Sequence, residues 1–339
     1  MRIATYNVEW FSSLFDRRGR MLDDAEWSAR YQVTRAEQLG ALGIVLTAVD
    51  ADVVLIVEAP DENRHRHTVP MLESFAEKFG LRQRRALIGF ANDTQQEIAL
   101  LYDPDKVSAV FDPQEGTETA PRFDQSLKID LDIDATLDTV VFSKPPLEVA
   151  LSLPDGRKLR LIGVHIKSKA PHGEFDPAAE VRIAIENRRK QLAQCIWLRR
   201  RIEGHLDAGD SLIVLGDFND GPGLDEYEAL FGRSGLEIVL GEGQPPARRM
   251  RDPHSRLHHR PTAAQPASAR FYLPDAGGGG HFFSAMLDYI MLSPDLCADA
   301  PAWRIWHPFD DPVCYKTPEL REALLQASDH FPVSVDISL

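Results

Sequence analysis

With 43 % hydrophobic side chains, a chain of 339 residues can bury a sizeable core, as one large domain or two ordinary ones. Its longest apolar runs are of strand length and broken by charges, which excludes a membrane span. Against 38 lysines and arginines stand 52 aspartates and glutamates, a net charge of −14. That balance counts against tight, non-specific binding to a polyanion, though not against phosphate chemistry at a metal ion.

The first strand is predicted from Ile3 to Phe11, with Ile3, Thr5, Asn7 and Glu9 on one face and Ala4, Tyr6, Val8 and Trp10 on the other. After a polar loop, Leu39, Leu42, Val45, Leu46 and Val49 recur at helical spacing and predict a helix from about Thr34 to Val49. Val53 to Val57 is an apolar strand ending at Glu58, followed by a helix from about Thr68 to Phe79. Strands are expected at Ala86–Phe90 and Glu97–Tyr102. Leu147–Leu153 and Lys158–His165 flank Asp155-Gly156, a strong hairpin signal. A long helix should run from about Pro177 to Leu206, its proline in the first turn where helices tolerate it.

Ser211 to Leu215 is a fully apolar strand that leads into Gly216-Asp217. Residues from about 241 to 280 read as irregular, and Ala285–Leu292 and Val333–Ile337 close the chain as strands. Hairpins and strand–helix alternations together predict two mixed sheets packed face to face with helices outside. This is a four-layered α/β sandwich, in a single domain over 1–339 because no linker stands out. Nothing like a leader precedes the first strand, and Cys195, Cys297 and Cys314 are an odd, widely spaced set. Reduced thiols in a cytoplasmic protein are therefore the expectation, with no membrane partner.

Glu58, Asp217, Asp288 and Asp329 each end or interrupt an apolar strand. A charge there is costly unless it is paired or coordinated. Oxygen ligands without histidine–cysteine spacing select Mg²⁺ or Mn²⁺, with Ca²⁺ also possible, over zinc. The ordered set Asn7, Glu58, His165, Asp217-x-Asn219, Asp288, Asp329-His330 resembles the endonuclease/exonuclease/phosphatase superfamily, the deoxyribonuclease I-like proteins, from Tyr6 to Val333. Gly216-Asp217-Phe218-Asn219 and Ser328-Asp329-His330-Phe331-Pro332 carry most of that likeness. Asn7-Val8-Glu9 and His165-Ile166-Lys167-Ser168-Lys169 resemble its bacterial nuclease branch.

The resemblance implies a metal-dependent phosphodiesterase. Glu58 would be the main metal ligand, with Asn7 and Asp329 near it. Asp217 would orient or deprotonate the attacking water, and Asn219 would hydrogen-bond a phosphoryl oxygen. His165 and His330 would donate to the phosphoryl group, with Asp288 holding a histidine, His330 being its expected partner. A glutamate is implied against His165; Glu97 lies in the matching strand, but one residue out of register.

Several positions keep two readings. Glu9 reaches the same cation or is a solvent-facing strand residue, and Lys167 touches a substrate phosphate or is simply solvated. Arg188, beside Arg182 and Arg189 on the long helix, carries the same ambiguity. From Ala247 to Arg260 the charge reverses, with Arg248, Arg249, Arg251, Arg256 and Arg260 against Asp252 alone, and His254, His258 and His259 besides. That stretch is either a substrate-facing loop on the nucleic-acid backbone or a solvated insertion. A nucleic acid, DNA before RNA, is the substrate these features favour. The alternatives are hydrolysis of a small-molecule or lipid phosphoester and, beyond chemistry, a non-catalytic binding module.

Overall fold

Alternation along the first two strands decides which layer each side chain joins. In a computed structural model that describes residues 1–131, 137–170, 176–222, 232–256, 265–274 and 279–339, β1 (Arg2–Asn7) and β2 (Val53–Ala59) pair in parallel. Ile3, Val53, Leu55 and Val57 face a second sheet, while Ala4, Tyr6, Val54 and Ile56 face helices. The first sheet is completed by β3 (Arg85–Ile88), β4 (Glu97–Tyr102), β14 (Ala302–Ile305) and β15 (Val333–Asp336), in the order β14-β15-β1-β2-β4-β3. The second contains β5 (Ser108–Phe111), β8 (Leu147–Ser152), β9 (Lys158–His165), β10 (Leu212–Asp217) and β13 (Asp288–Leu292), in the order β13-β10-β9-β8-β5. Two small ribbons stand apart: β6 (Ser126–Ile129) with β7 (Asp138–Val141), and β11 (Ala269–Pro274) with β12 (Gly280–Ala285).

Helices α1 (Arg35–Val49), α2 (Thr68–Lys78), α5 (Pro312–Lys316) and α6 (Pro318–Ala327) cover the outer face of the first sheet. Helices α3 (Pro177–Ala208) and α4 (Gly235–Leu240) cover the second. The two sheets share one core, and at Gly163 they come so close that a Cβ would lie 2.3 Å from Leu55 Cδ1. The layering is the four-layered sandwich that the strand pattern implies. Among the described residues, no helix is long and apolar enough to cross a membrane.

Three segments depart from expectation. The first strand stops at Asn7 rather than Phe11, because Trp10 takes a left-handed conformation (φ 58°) and Phe11–Leu14 coil into a 3₁₀ turn. Strand parity therefore no longer places Glu9. The run Ala285–Leu292 breaks at Met286-Leu287, where the Ser268 hydroxyl accepts the Leu287 and Asp288 amides at 3.0 and 2.9 Å. The stretch 241–280 holds β11 and two 3₁₀ turns, Pro246–Arg248 and Pro253–Ser255. His258, His259 and Arg260 lie outside the described residues.

Candidate active site

Strands β1, β2, β9 and β10 all end at one edge of the sandwich, where antiparallel β13 and β15 begin. Asp217, the last residue of β10, has His165 beside it on β9 and Asp288 beside it on β13. The preceding residue, Gly216, holds φ at 134°, and a Cβ there would strike the Val164 carbonyl oxygen. Only glycine delivers the acid at this angle.

Three N–H groups converge on Asp217. The Asn219 amide donates to Oδ1 at 2.8 Å, while Asn7 Nδ2 and Asn219 Nδ2 donate to Oδ2 at 3.0 and 3.2 Å. The Asn7 bond crosses from one sheet to the other. Burial and then Asp288 push the Asp217 carboxyl up to about 7, against the opposing pull of His330 and these hydrogen bonds. Both Asn219 side-chain N–H groups are engaged, the second acceptor being the Ile166 carbonyl at 3.0 Å. As placed, Asn219 holds Asp217 rather than pointing at substrate.

His330 and Asp288 form a buried pair, Nδ1 to Oδ2 at 2.7 Å. Ser268 Oγ donates to the same oxygen at 2.7 Å. Burial alone would depress the imidazole pKa. The charge and hydrogen bond of Asp288, with Asp217 and Asp329 behind it, outweigh that and raise it well above its ordinary value. His165 goes the opposite way. Burial first, then the charges of Lys144, His330 and Lys167, hold it well below its ordinary value, although Asp217 Oδ2 is only 3.7 Å from its Nε2. The two histidines, both expected to donate to the phosphoryl group, are thus shifted in opposite directions: the setting of His330 favours the charged ring and that of His165 the neutral one.

The positive charge beside His165 belongs to Lys144, whose Nζ lies 3.2 and 3.4 Å from the two ring nitrogens and 2.5 Å from Gln96 Oε1. Burial lowers its pKa, and the carboxylates of Glu58 and Asp217 draw it back up. Glu97 turns elsewhere, accepting from Asn92 Nδ2 at 2.7 Å and the Glu62 amide at 3.4 Å. Lys144 has no signal in the sequence; it sits in the loop before β8, and only folding carries it to the site. Lys144→Met should lower kcat/KM roughly ten- to hundredfold, the span of a charged hydrogen bond. Lys144→Arg should recover part of the loss, as steady-state kinetics on a phosphodiester will show.

Beside these acid–base groups lies a cluster of carboxylates. Glu58 occupies a β-bulge at φ 60°, and burial raises its pKa, with Lys144 and His330 opposing and Asp329 adding to the rise. Glu9 is pushed up to about 7 by burial, then by Asp329 and Glu58, against Arg30, with which it forms an ion pair. Despite leaving the strand, Glu9 stays near enough to Asp329 and Glu58 to feel their charges, with its carboxylate paired to Arg30. Ser328 fastens the segment that carries Asp329 to β1, its Oγ donating to the Asn7 carbonyl at 2.8 Å and accepting the amides of Glu9 and His330. Buried Gln38 on α1 braces it from behind, donating to the carbonyls of Glu9 and Ala327.

Asn7 Oδ1 is buried without a hydrogen-bond partner. A buried carbonyl oxygen left unpaired beside mutually repelling carboxylates is the donor set a hard divalent cation satisfies. Asp217, Asp288 and His330 also bring ligand-type atoms within 4.8 Å of one another. In that trio Asp288 Oδ2 engages His330 Nδ1, while Asp288 Oδ1 is, like Asn7 Oδ1, buried without a hydrogen-bond partner. Glu58, Asp329 and Glu9 lie near enough to act on one another's charge, and with the unpaired Asn7 oxygen they offer oxygen donors of the kind a hard cation takes, though among the described residues their ligand atoms do not converge as closely as those of the trio.

Lys167 is half-buried at the site's rim, near enough to Lys144 and His165 to act on their charges. Arg188 turns instead to the carbonyls of Lys169 and Ala184. Arg248 and Arg249 lie away from the centre, contrary to expectation. Arg248 pairs with Asp207 in the last turn of α3, beside the start of β10, and Arg249 caps the Gln244 carbonyl. Arg251 bridges to Leu292, at the far end of β13 from Asp288. The described part of the basic stretch thus packs along the opposite end of the second sheet, pinned there by Arg199, which donates to the Arg248 carbonyl at 2.7 Å.

A sequence profile for the Endonuclease/Exonuclease/phosphatase family matches residues 4–330. No curated protein matches the sequence. Among solved structures, the fold is similar to that of an AP endonuclease from Archaeoglobus fulgidus, at 14 % identity and a TM-score of 0.53 with the whole of both chains covered. It is also similar to TDP2 from C. elegans, at 14 % identity and a TM-score of 0.51, covering 100 % of this chain and 75 % of that one. At such identities the likeness is one of fold.

Proposed function

Since this chain belongs to the endonuclease/exonuclease/phosphatase family, whose members hydrolyse phosphoesters, we propose that it is a divalent-metal-dependent phosphodiesterase that cleaves nucleic acid, DNA before RNA, by attack of water. The observation that carries this reading is the bond from Asn7 to Asp217 across the two sheets, which ties a carboxylate placed as general base to an asparagine whose own buried carbonyl oxygen is left without a partner. Asn7, Glu58 and Asp329, with Glu9 beside them, would hold Mg²⁺, Mn²⁺ or Ca²⁺, which when bound would polarise the phosphoryl oxygens and acidify water.

The remaining steps fall to side chains. Asp217, poised near neutrality and aimed by Asn7 and Asn219, accepts the proton of the attacking water. His330, kept cationic by Asp288, donates to the phosphoryl oxygen as negative charge builds on it. Lys144 offers a second positive charge across from it, with neutral His165 fixing the ammonium in place. An endonuclease among the fold neighbours makes nucleic acid the first substrate class to assay.

The test compares supercoiled plasmid, linear duplex, single-stranded DNA, RNA and bis-p-nitrophenyl phosphate, each with Mg²⁺, Mn²⁺ or chelator. Metal-dependent strand cleavage is the expected result. Plasmid and oligonucleotides left intact while a small phosphoester turns over would hand the assignment to a small-molecule or lipid phosphoesterase. Glu58→Gln should raise the Mg²⁺ needed for half-maximal rate by at least about tenfold, a loss that even outer-sphere substitutions can cause. Metal titration of the initial rate measures it.

A further inference from the structure

The β11–β12 ribbon belongs to neither large sheet, yet it is tied to the reacting groups. Ala269 bridges to His330, the Arg270 amide donates to the Asp329 carbonyl at 2.7 Å, and the Phe271 ring stands edge-on to the His330 ring at 5.6 Å. Beyond that anchor the ribbon is unusually apolar for a surface. Tyr272, Phe282 and Phe283 are each half or more exposed, and Leu273 and Phe309 nearly so. An isolated two-stranded ribbon is marginal in water, and one lined with bare aromatic rings is costly unless something covers them.

Register sorts the rings onto two faces. Phe271 opposite Phe283, with Leu273 beyond, lie on the side that meets His330, and Tyr272 opposite Phe282 lie on the other. On that second face the Arg270 guanidinium rests 3.5 Å over the Phe282 ring and 5.3 Å from Phe309. A cation set among aromatic rings suits bases and phosphates, which offer π faces and negative charge. It is out of place in a surface meant for hydrocarbon.

We propose that this ribbon is a stacking platform for unpaired bases flanking the scissile phosphodiester, so that the substrate is engaged as a locally single strand. The proposal rests on the nuclease reading above and narrows its substrate class. A base inside a duplex has both faces covered by its neighbours and offers none to a ring, whereas an unpaired base offers both. Stacking on aromatics tolerates any sequence, so the platform would add affinity without base preference.

The experiment uses oligothymidylate and an abasic oligomer of the same length and charge, with bis-p-nitrophenyl phosphate as a reference that has no flanking bases. The unaltered protein should cleave oligothymidylate with kcat/KM at least about tenfold above the abasic strand, the scale of one stacked base. Combined Tyr272→Ser and Phe282→Ser, on the face that carries Arg270, should erase that preference and leave turnover of the small diester unchanged. Equal cleavage of the two oligomers by the unaltered protein overturns the platform, and no variant is needed to see it. Persistence of the preference in the double variant, or ring-dependent co-sedimentation with phosphatidylcholine vesicles, overturns it too. If neither oligomer is cut while the small diester is, the nuclease reading itself fails, a result separable from cleavage without preference.

Discussion

Asp217→Asn lowers kcat on any phosphodiester substrate by about 10²–10⁴-fold, the share a positioned general base contributes, while the protein stays folded. The three hydrogen bonds this carboxylate accepts all come from N–H donors. An amide offers them one oxygen and turns an NH₂ toward the rest. An unmade buried hydrogen bond costs about 1–3 kcal/mol. Removing a buried carboxylate offsets part of that, since an ionised group in this setting is itself expensive. Thermal melts followed by circular dichroism, run beside initial rates, separate the two effects. A variant that melts near the parent and retains its turnover would remove Asp217 from the chemistry.

His330→Ala and Asp288→Asn should each lower kcat by about 10²–10³-fold, as loss of a preorganised oxyanion donor does. The double variant should be hardly worse than His330→Ala alone, because Asp288 acts through the ring it holds. The two single variants differ in their pH dependence. In the parent, Asp288 raises the His330 pKa well above its ordinary value, so the cationic form persists into alkaline solution. Without the carboxylate, burial is opposed less strongly, and the ring loses its proton at lower pH. The alkaline limb of the kcat/KM profile should therefore move toward acid in Asp288→Asn. An alkaline limb that stays put, or strictly additive losses, would separate the two residues.

The fold was legible wherever pattern and local chemistry agreed. Val53–Ala59 and Leu212–Asp217 are apolar enough to be buried on both faces, and Thr34 with Glu37 caps α1 reciprocally. The β11 strand was hidden because Ala267-Ser268-Ala269-Arg270 follows a proline-rich stretch and its alternation is too short to stand out. Trp10 was misplaced for a different reason: strand-like alternation continues past Asn7, and nothing in the residue type announces a left-handed turn.

The residues at strand ends were readable because a charge there needs an explanation. Asn7, Glu58, His165, Asp217, Asp288 and His330 are brought to one edge. Lys144, Ser268 and Gln38 were not readable, since a loop lysine, a loop serine and a helix glutamine are ordinary until tertiary contacts aim them. The arginines near position 250 show the converse, a conspicuous charge run whose partners turned out to be Asp207 and backbone carbonyls.

The place of β1 within its sheet has a consequence for biosynthesis. It is flanked by β2 on one side and β15 on the other, with Arg2 paired to Asp336 and Thr5 to Val333. A nascent chain therefore carries an unsatisfied strand edge along β1 until the ribosome has passed position 336. Contacts of such sequence separation form late and slowly. The same delay applies to the strand ends at that edge: until His330 emerges and docks, Asp288 lacks the ring it pairs with at 2.7 Å.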